Sequence, residues 1–75
     1  MTLQQMSFFV AICRCGNFTA AADELYISQS SISKSIIALE KELGSELFVR
    51  TTRKIRLSEV GRRLLPYATR MVEEY

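Results

Sequence analysis

Apolar residues recur at helical spacing in three parts of this chain, and strand-like runs appear in one. Ile32, Ile36, Leu39 and Leu43 follow one another at intervals of four, three and four. That confines them to about 60° of a helix surface and makes them a core-facing stripe. In a first helix from Leu3 to about Cys15, one stripe holds Leu3, Met6, Phe9, Val10 and Cys13, and a second holds Phe8, Ile12 and Cys15 on the far side. A helix apolar on two faces is expected to be sandwiched. The neighbours here are the next two helices on one side and the C-terminal helix or a second subunit on the other; the plainer alternative leaves Phe8 exposed. Near the C-terminus, Leu57, Gly61, Leu64, Ala68, Met71 and Tyr75 alternate by four and three, with Leu65 and Val72 beside them. This is the spacing of a coiled-coil seam, and such a helix wants a partner. Pro66 falls inside it, removing one backbone hydrogen bond and kinking the helix rather than ending it.

Punctuation between these stripes sets the element boundaries. Thr2 caps the first helix and Gly16 ends it; Asn17 or Thr19 caps a second, short helix running Thr19 Ala20 Ala21 Ala22 Asp23 Glu24 Leu25. A turn of Tyr26, Ile27 and Ser28 follows, and Ser28 caps a third helix from Gln29 that stops at Gly44. Two helices joined by so short a turn, from Phe18 to Gly44, have the grammar of a helix-turn-helix. Leu47 to Arg50 and Ile55 to Leu57 read as two short strands around Thr51, Thr52, Arg53 and Lys54. With no glycine in the loop, a longer connection around a type I turn fits better than a two-residue primed turn. Ser58 caps the last helix, with Glu59 favourably placed in its first turn.

The polar face of the third helix carries the chemistry. Ser30, Lys34, Ile37 and Lys41 lie opposite the core stripe, flanked by Ser33 and, at the N-terminal end, by Gln29 and Ser31. Short hydroxyls would let this face approach a groove closely and hydrogen-bond to phosphates or base edges. Most polar helix faces are merely solvated; the supporting short helix, tight turn and basic hairpin favour groove insertion. Ile37 fits a solvated face badly, so a thymine methyl contact or packing against the hairpin is its expected use.

The 75 residues allow one small domain, and 48% hydrophobic with 24% charged residues is an ordinary globular composition. Net charge is only +2, yet it is unevenly spread. Residues 1–49 carry Arg14, Lys34 and Lys41 against Asp23, Glu24, Glu40, Glu42 and Glu46, whereas residues 50–63 carry Arg50, Arg53, Lys54, Arg56, Arg62 and Arg63 against Glu59 alone. Such a local cationic patch attracts polyanions. No apolar run reaches the roughly 18 residues of a membrane span and no signal peptide is recognisable, so a cytoplasmic protein with no membrane partner is expected. Cys13 and Cys15 project about 200° apart on a helix and should stay unbridged, as buried thiols. The chain has no His, and no metal site, cofactor or catalysis is expected.

In this order and spacing the residues closely resemble the N-terminal DNA-binding domain of LysR-type transcriptional regulators, over essentially the whole chain. The likeness rests on Phe9 Val10 Ala11, Gly16 Asn17 Phe18 Thr19 with Ala21, Ala22 and Leu25, then Ser28 Gln29, Ser33, Ile36, Leu39 Glu40 and Leu43 Gly44. It continues through Leu47 Phe48, Arg50, Leu57 Ser58, Gly61 and Leu65 Pro66 Tyr67 Ala68. The resemblance implies a mainly α fold, a winged helix-turn-helix of three helices and a two-stranded β wing (1–57), followed by a long linker helix (58–75). It also implies a bacterial, nucleoid-associated protein that binds double-stranded promoter DNA as a homodimer paired through linker helices, or as a tetramer when full length. A small-molecule effector would act only through a further domain that these residues do not include.

Carried over position by position, Gln29, Ser30, Ser31, Ser33, Lys34 and Ile37 would meet the major groove. Arg50, Thr51, Thr52, Arg53 and Lys54 would form the wing, on the minor groove or backbone, with Thr19 in support. Phe8, Ile12, Leu64, Leu65, Ala68, Met71, Val72 and Tyr75 would form the dimer interface. Ser30 stands where many relatives have proline, Ile37 where the family is often basic, and the wing turn lacks the glycine often found there. The competing class is a protein-interaction module whose functional surface is the apolar seam; it predicts association without DNA.

Overall fold

The computed structural model describes residues 1–50 and 55–74. Four helices and one hairpin follow in the order α1 (Leu3–Cys15), α2 (Phe18–Leu25), α3 (Gln29–Leu43), β1 (Phe48–Arg50), β2 (Ile55–Leu57) and α4 (Glu59–Glu74). Each early boundary has a local cause. Thr2 and Gln5 form a capping box, the Gln5 N–H donating to Thr2 Oγ1 at 3.0 Å and the Thr2 N–H to Gln5 Oε1 at 2.9 Å. Asn17, rather than Thr19, caps α2 by accepting the Ala20 N–H, and Ser28 caps α3 by accepting the Ser31 N–H. Gly16 and Gly44 close α1 and α3 in the left-handed region. Tyr26 does the same for α2 at φ 59°, the one non-glycine residue with positive φ among those described.

β1 and β2 pair antiparallel, Phe48 opposite Leu57, Val49 opposite Arg56 and Arg50 opposite Ile55. The first strand begins one residue later than its apolar run suggested, because the Leu47 N–H is diverted to the Glu40 carboxylate at 2.8 Å, although its carbonyl still accepts the Ser58 N–H at 2.9 Å. Those two bonds fasten the hairpin between the end of α3 and the start of α4. The predicted turn, Thr51 to Lys54, lies outside the described residues.

The core draws on every helix: Met6, Phe9, Ala11 and Ile12 from α1, Phe18, Ala21 and Ala22 from α2, Ile32, Ile36 and Leu39 from α3, and Ala68 from α4, with Leu47 and Phe48 from the hairpin. Phe48 is the hub of an aromatic cluster, its ring centroid 5.4 Å from Phe9 and 5.6 Å from Phe18. As expected, α1 is covered on both faces, by α2 and α3 on one and α4 on the other. The cysteines are free, but both are half-buried rather than buried. Desolvation pushes the Cys13 thiol up to about 11, so it stays protonated and a poor nucleophile at neutral pH.

Candidate nucleic-acid interface

With Ile32, Ile36 and Leu39 fully buried, the helical period turns the opposite face of α3 outward. Gln29, Ser30, Ser31, Lys34 and Lys41 are exposed, and Ser33 is half-buried at the margin. Two side-chain hydrogen bonds order the N-terminal turn. Thr19 Oγ1, in the first turn of α2, donates to Gln29 Oε1 at 3.1 Å, and the Ser28 hydroxyl donates to Ser31 Oγ at 2.9 Å. The side chains of Ser30, Ser33 and Lys34 meet no hydrogen-bond or ion-pair partner among the described residues. The edge therefore presents one oriented amide, three hydroxyls and an ammonium at the positive end of a helix dipole, a set suited to phosphate oxygens and base edges.

Ile37 is 45% exposed and Val49, on β1, is 46% exposed. Together with Phe48, Glu40 and Glu46 they line an open groove of about 410 Å³ between α3 and the hairpin. Ile37 is thus not sealed against the hairpin; nearly half of it remains available to an apolar ligand atom.

The basic stretch divides in two. Arg50 ends β1, while Thr51, Thr52, Arg53 and Lys54 lie outside the described residues. Arg56 and Arg62, absent from the residues singled out in the sequence, are exposed and line a second groove with Val49, Leu57, Ser58 and Glu59. Their signal was already present in the charge count, but only the hairpin register sets Arg56 across from Val49. Arg63 is drawn to Glu59 at 3.3 Å in an exposed i, i+4 pair, a geometry that contributes a few tenths of a kcal/mol, roughly 0.3 to 0.5.

The expected dimer surface needs correction. Ile12 and Ala68 are 1% and 0% exposed within a single chain, so neither has surface left for a partner. Their apolar atoms are consumed where α1 packs on α4. Phe8, Leu64, Leu65 and Val72 are half-buried against the core, Met71 is exposed, and Tyr75 is not among the described residues. The heptad seam also resolves into two parallel stripes. Gly61, Leu65, Ala68 and Val72 face the core at intervals of four, three and four. Val60, Leu64, Tyr67 and Met71 repeat the same intervals one residue earlier; Val60, Tyr67 and Met71 are exposed, Tyr67 65% and Met71 43%, while Leu64 is half-buried. Val60 and Tyr67 were not among the interface residues anticipated from the sequence. Ala68 and Gly61, small enough for a close helix crossing, are the signal that separates the stripes.

A helix-turn-helix followed by a two-stranded hairpin and a long C-terminal helix defines a winged helix-turn-helix domain. The family model described as "Bacterial regulatory helix-turn-helix protein, lysR family" matches residues 3–62. The chain belongs to that family. One relative, an uncharacterized HTH-type transcriptional regulator, y4mQ, from Sinorhizobium fredii, is 45% identical over 97% of this chain and 24% of its own length. A regulator encoded in an ibpB-leuC intergenic region of Azotobacter vinelandii is 42% identical over 96% of this chain and 50% of its own. The chain therefore spans about a quarter to a half of the length of these relatives. Among solved structures, the BenM DNA-binding domain in complex with catB site 1 DNA superposes with a TM-score of 0.94 at 35% identity, covering 99% of this chain and 83% of that one. The CbnR DNA-binding domain–DNA complex gives 0.91 at 38% identity, covering 97% and 84%.

Proposed function

We propose that this chain is the sequence-specific, double-stranded-DNA-binding domain of a bacterial transcriptional regulator. It seats α3 in a major groove and its basic wing on the adjacent minor groove or backbone. The observation that carries the reading is the outward face of α3: hydroxyl, amide and ammonium groups at its exposed N-terminal end, rigidly backed by a fully buried apolar stripe. The similar BenM and CbnR domains are seen with DNA, which supports the same partner here. Gln29, Ser30, Ser31, Ser33, Lys34 and Ile37 serve as the groove-facing set, with Arg50 through Lys54, Arg56 and Arg62 acting on phosphates. No catalysis is assigned; the relatives are named transcriptional regulators. No described helix is long and apolar enough to cross a membrane, in keeping with a regulator working on chromosomal DNA in the cytoplasm.

Titrating the chain with promoter-like and random duplexes at two salt concentrations tests this. Binding is expected to weaken steeply with salt and to differ between the duplexes. Arg53→Ala should weaken both and flatten the logarithmic salt slope by about one. Salt-insensitive or undetectable binding to either duplex would leave the DNA reading without support and favour the interaction module.

The working unit we propose is a dimer, with residues 1–57 as the reading unit and 58–75 as the linker that pairs two copies. Its seam is Val60, Leu64, Tyr67 and Met71, extended by Phe8 and the half-buried Leu65 and Val72. Met71→Asp puts an unpaired charge in that seam and is expected to weaken self-association at least about tenfold, the scale of losing one buried apolar side chain at an interface. Because Met71 is exposed in the single chain, its helical circular dichroism should hold. Sedimentation across concentration reads the change; an unaltered monomer–dimer equilibrium places the seam elsewhere.

A further inference from the structure

The Thr19–Gln29 hydrogen bond joins two exposed side chains from different helices and contributes nothing to the core, so its structural purpose is local. We infer that Thr19 is a positioning residue: its hydroxyl restrains the Gln29 carboxamide at the start of α3 and thereby sharpens the base-pair preference of Gln29. This rests on the DNA reading above.

A carboxamide carries an acceptor on one side and two donors on the other, and rotating its terminal torsion by half a turn exchanges them. At an exposed helix start nothing else restrains Gln29; no further hydrogen-bond partner of its side chain occurs among the described residues. With Thr19 Oγ1 donating to Oε1 at 3.1 Å, one lone pair of Oε1 is occupied. The second lone pair and both Nε2 hydrogens stay free, on an amide tethered at one end. An acceptor and a donor presented together match the N6 donor and N7 acceptor of adenine in the major groove. A freely spinning amide would instead serve guanine's two acceptors or a phosphate almost as well, so discrimination would fall even where affinity survived. Thr19 can hold this position because Asn17, not Thr19, caps α2, which leaves the Thr19 hydroxyl unclaimed by the backbone.

Selection from a duplex library with a randomised central segment, carried out on the 75-residue chain and its variants, tests the inference. Gln29→Ala identifies the base-pair column that Gln29 reads, because preference flattens there. Thr19→Val, which keeps shape and removes the hydroxyl, is expected to lower preference in that same column by between about twofold and about tenfold, the range for releasing one ordered side chain. The other columns and the salt slope should be unchanged, and Thr19→Ser should restore the preference. Three results would overturn the assignment: an intact Gln29 column in Thr19→Val, equal losses on all sequences, as for a hydroxyl that itself binds phosphate, or no recovery in Thr19→Ser. A wild-type chain that enriches no sequence at all would remove the DNA reading itself, and this inference with it.

Discussion

Phe48→Ala is expected to cost about 3 to 5 kcal/mol, the range for deleting a buried aromatic side chain. On the usual scale a chain of this size has about 4 to 11 kcal/mol of stability. The variant should therefore lose between about a quarter and all of its stability. The large value follows from where the ring lies. Phe48 is 4% exposed and meets Phe9 of α1 in a tilted contact and Phe18 of α2 edge-on. Such ring pairs contribute about 0.5 to 1.5 kcal/mol beyond the area they bury. No other described hairpin residue reaches both helices through aromatic contacts, so its removal opens a cavity and frees the hairpin together. Phe48→Leu, which retains most of the volume, should cost far less, below about 2 kcal/mol. Urea unfolding followed by circular dichroism reads both. A loss under about 1 kcal/mol for the alanine variant would show that the hairpin is held by Leu47 and its backbone bonds alone.

Much of this architecture was legible because the signals are local. Thr2, Asn17, Ser28, Gly16 and Gly44 each act within one turn of their own position, and the Ile32–Leu43 stripe needs only the helical period to define its face. The outward face of α3 then follows by elimination, so its polar residues could be nominated before any fold was known. What failed depended on how elements meet. The α4 pattern supports two stripes one residue apart, and only the packing of α1 on α4 decides that Ala68 and Ile12 turn inward while Tyr67 turns out. The Thr19–Gln29 bond joins residues ten apart on helices whose crossing the turn sets, and the charge count could gather Arg56 and Arg62 without saying that they line one groove.

That same packing makes Gly61→Ala the second large effect. Gly61 lies in the first turn of α4, its N–H donating to Ser58 Oγ at 3.0 Å, while Ser58 donates its own N–H to the Leu47 carbonyl at 2.9 Å. This draws the Leu47 carbonyl directly against the helix. A Cβ at position 61 would overlap the Leu47 oxygen and stand 3.0 Å from Leu57 Cδ2 and 3.3 Å from the Leu47 carbonyl carbon. Leu57 can rotate away; the Leu47 backbone, tied to both Glu40 and Ser58, cannot move without breaking the bonds that seat the hairpin. The better helix propensity of alanine, worth about 1 kcal/mol, is outweighed, and a net loss of about 2 to 4 kcal/mol is expected. For a domain of this size the unfolding midpoint should fall by roughly 10 to 30 °C. Gly44 supplies the contrast, since a Cβ there meets open space and the strain is one of left-handed backbone alone. Gly44→Ala should cost about 1 to 2 kcal/mol and Gly44→Asn less, as asparagine tolerates that conformation. Asparagine at position 61 should be no better than alanine, because the obstacle is a carbonyl and not a torsion angle. Thermal melts of the four variants separate the two causes; a Gly61→Ala midpoint at or above wild type would mean that α4 can lift off Leu47 without cost.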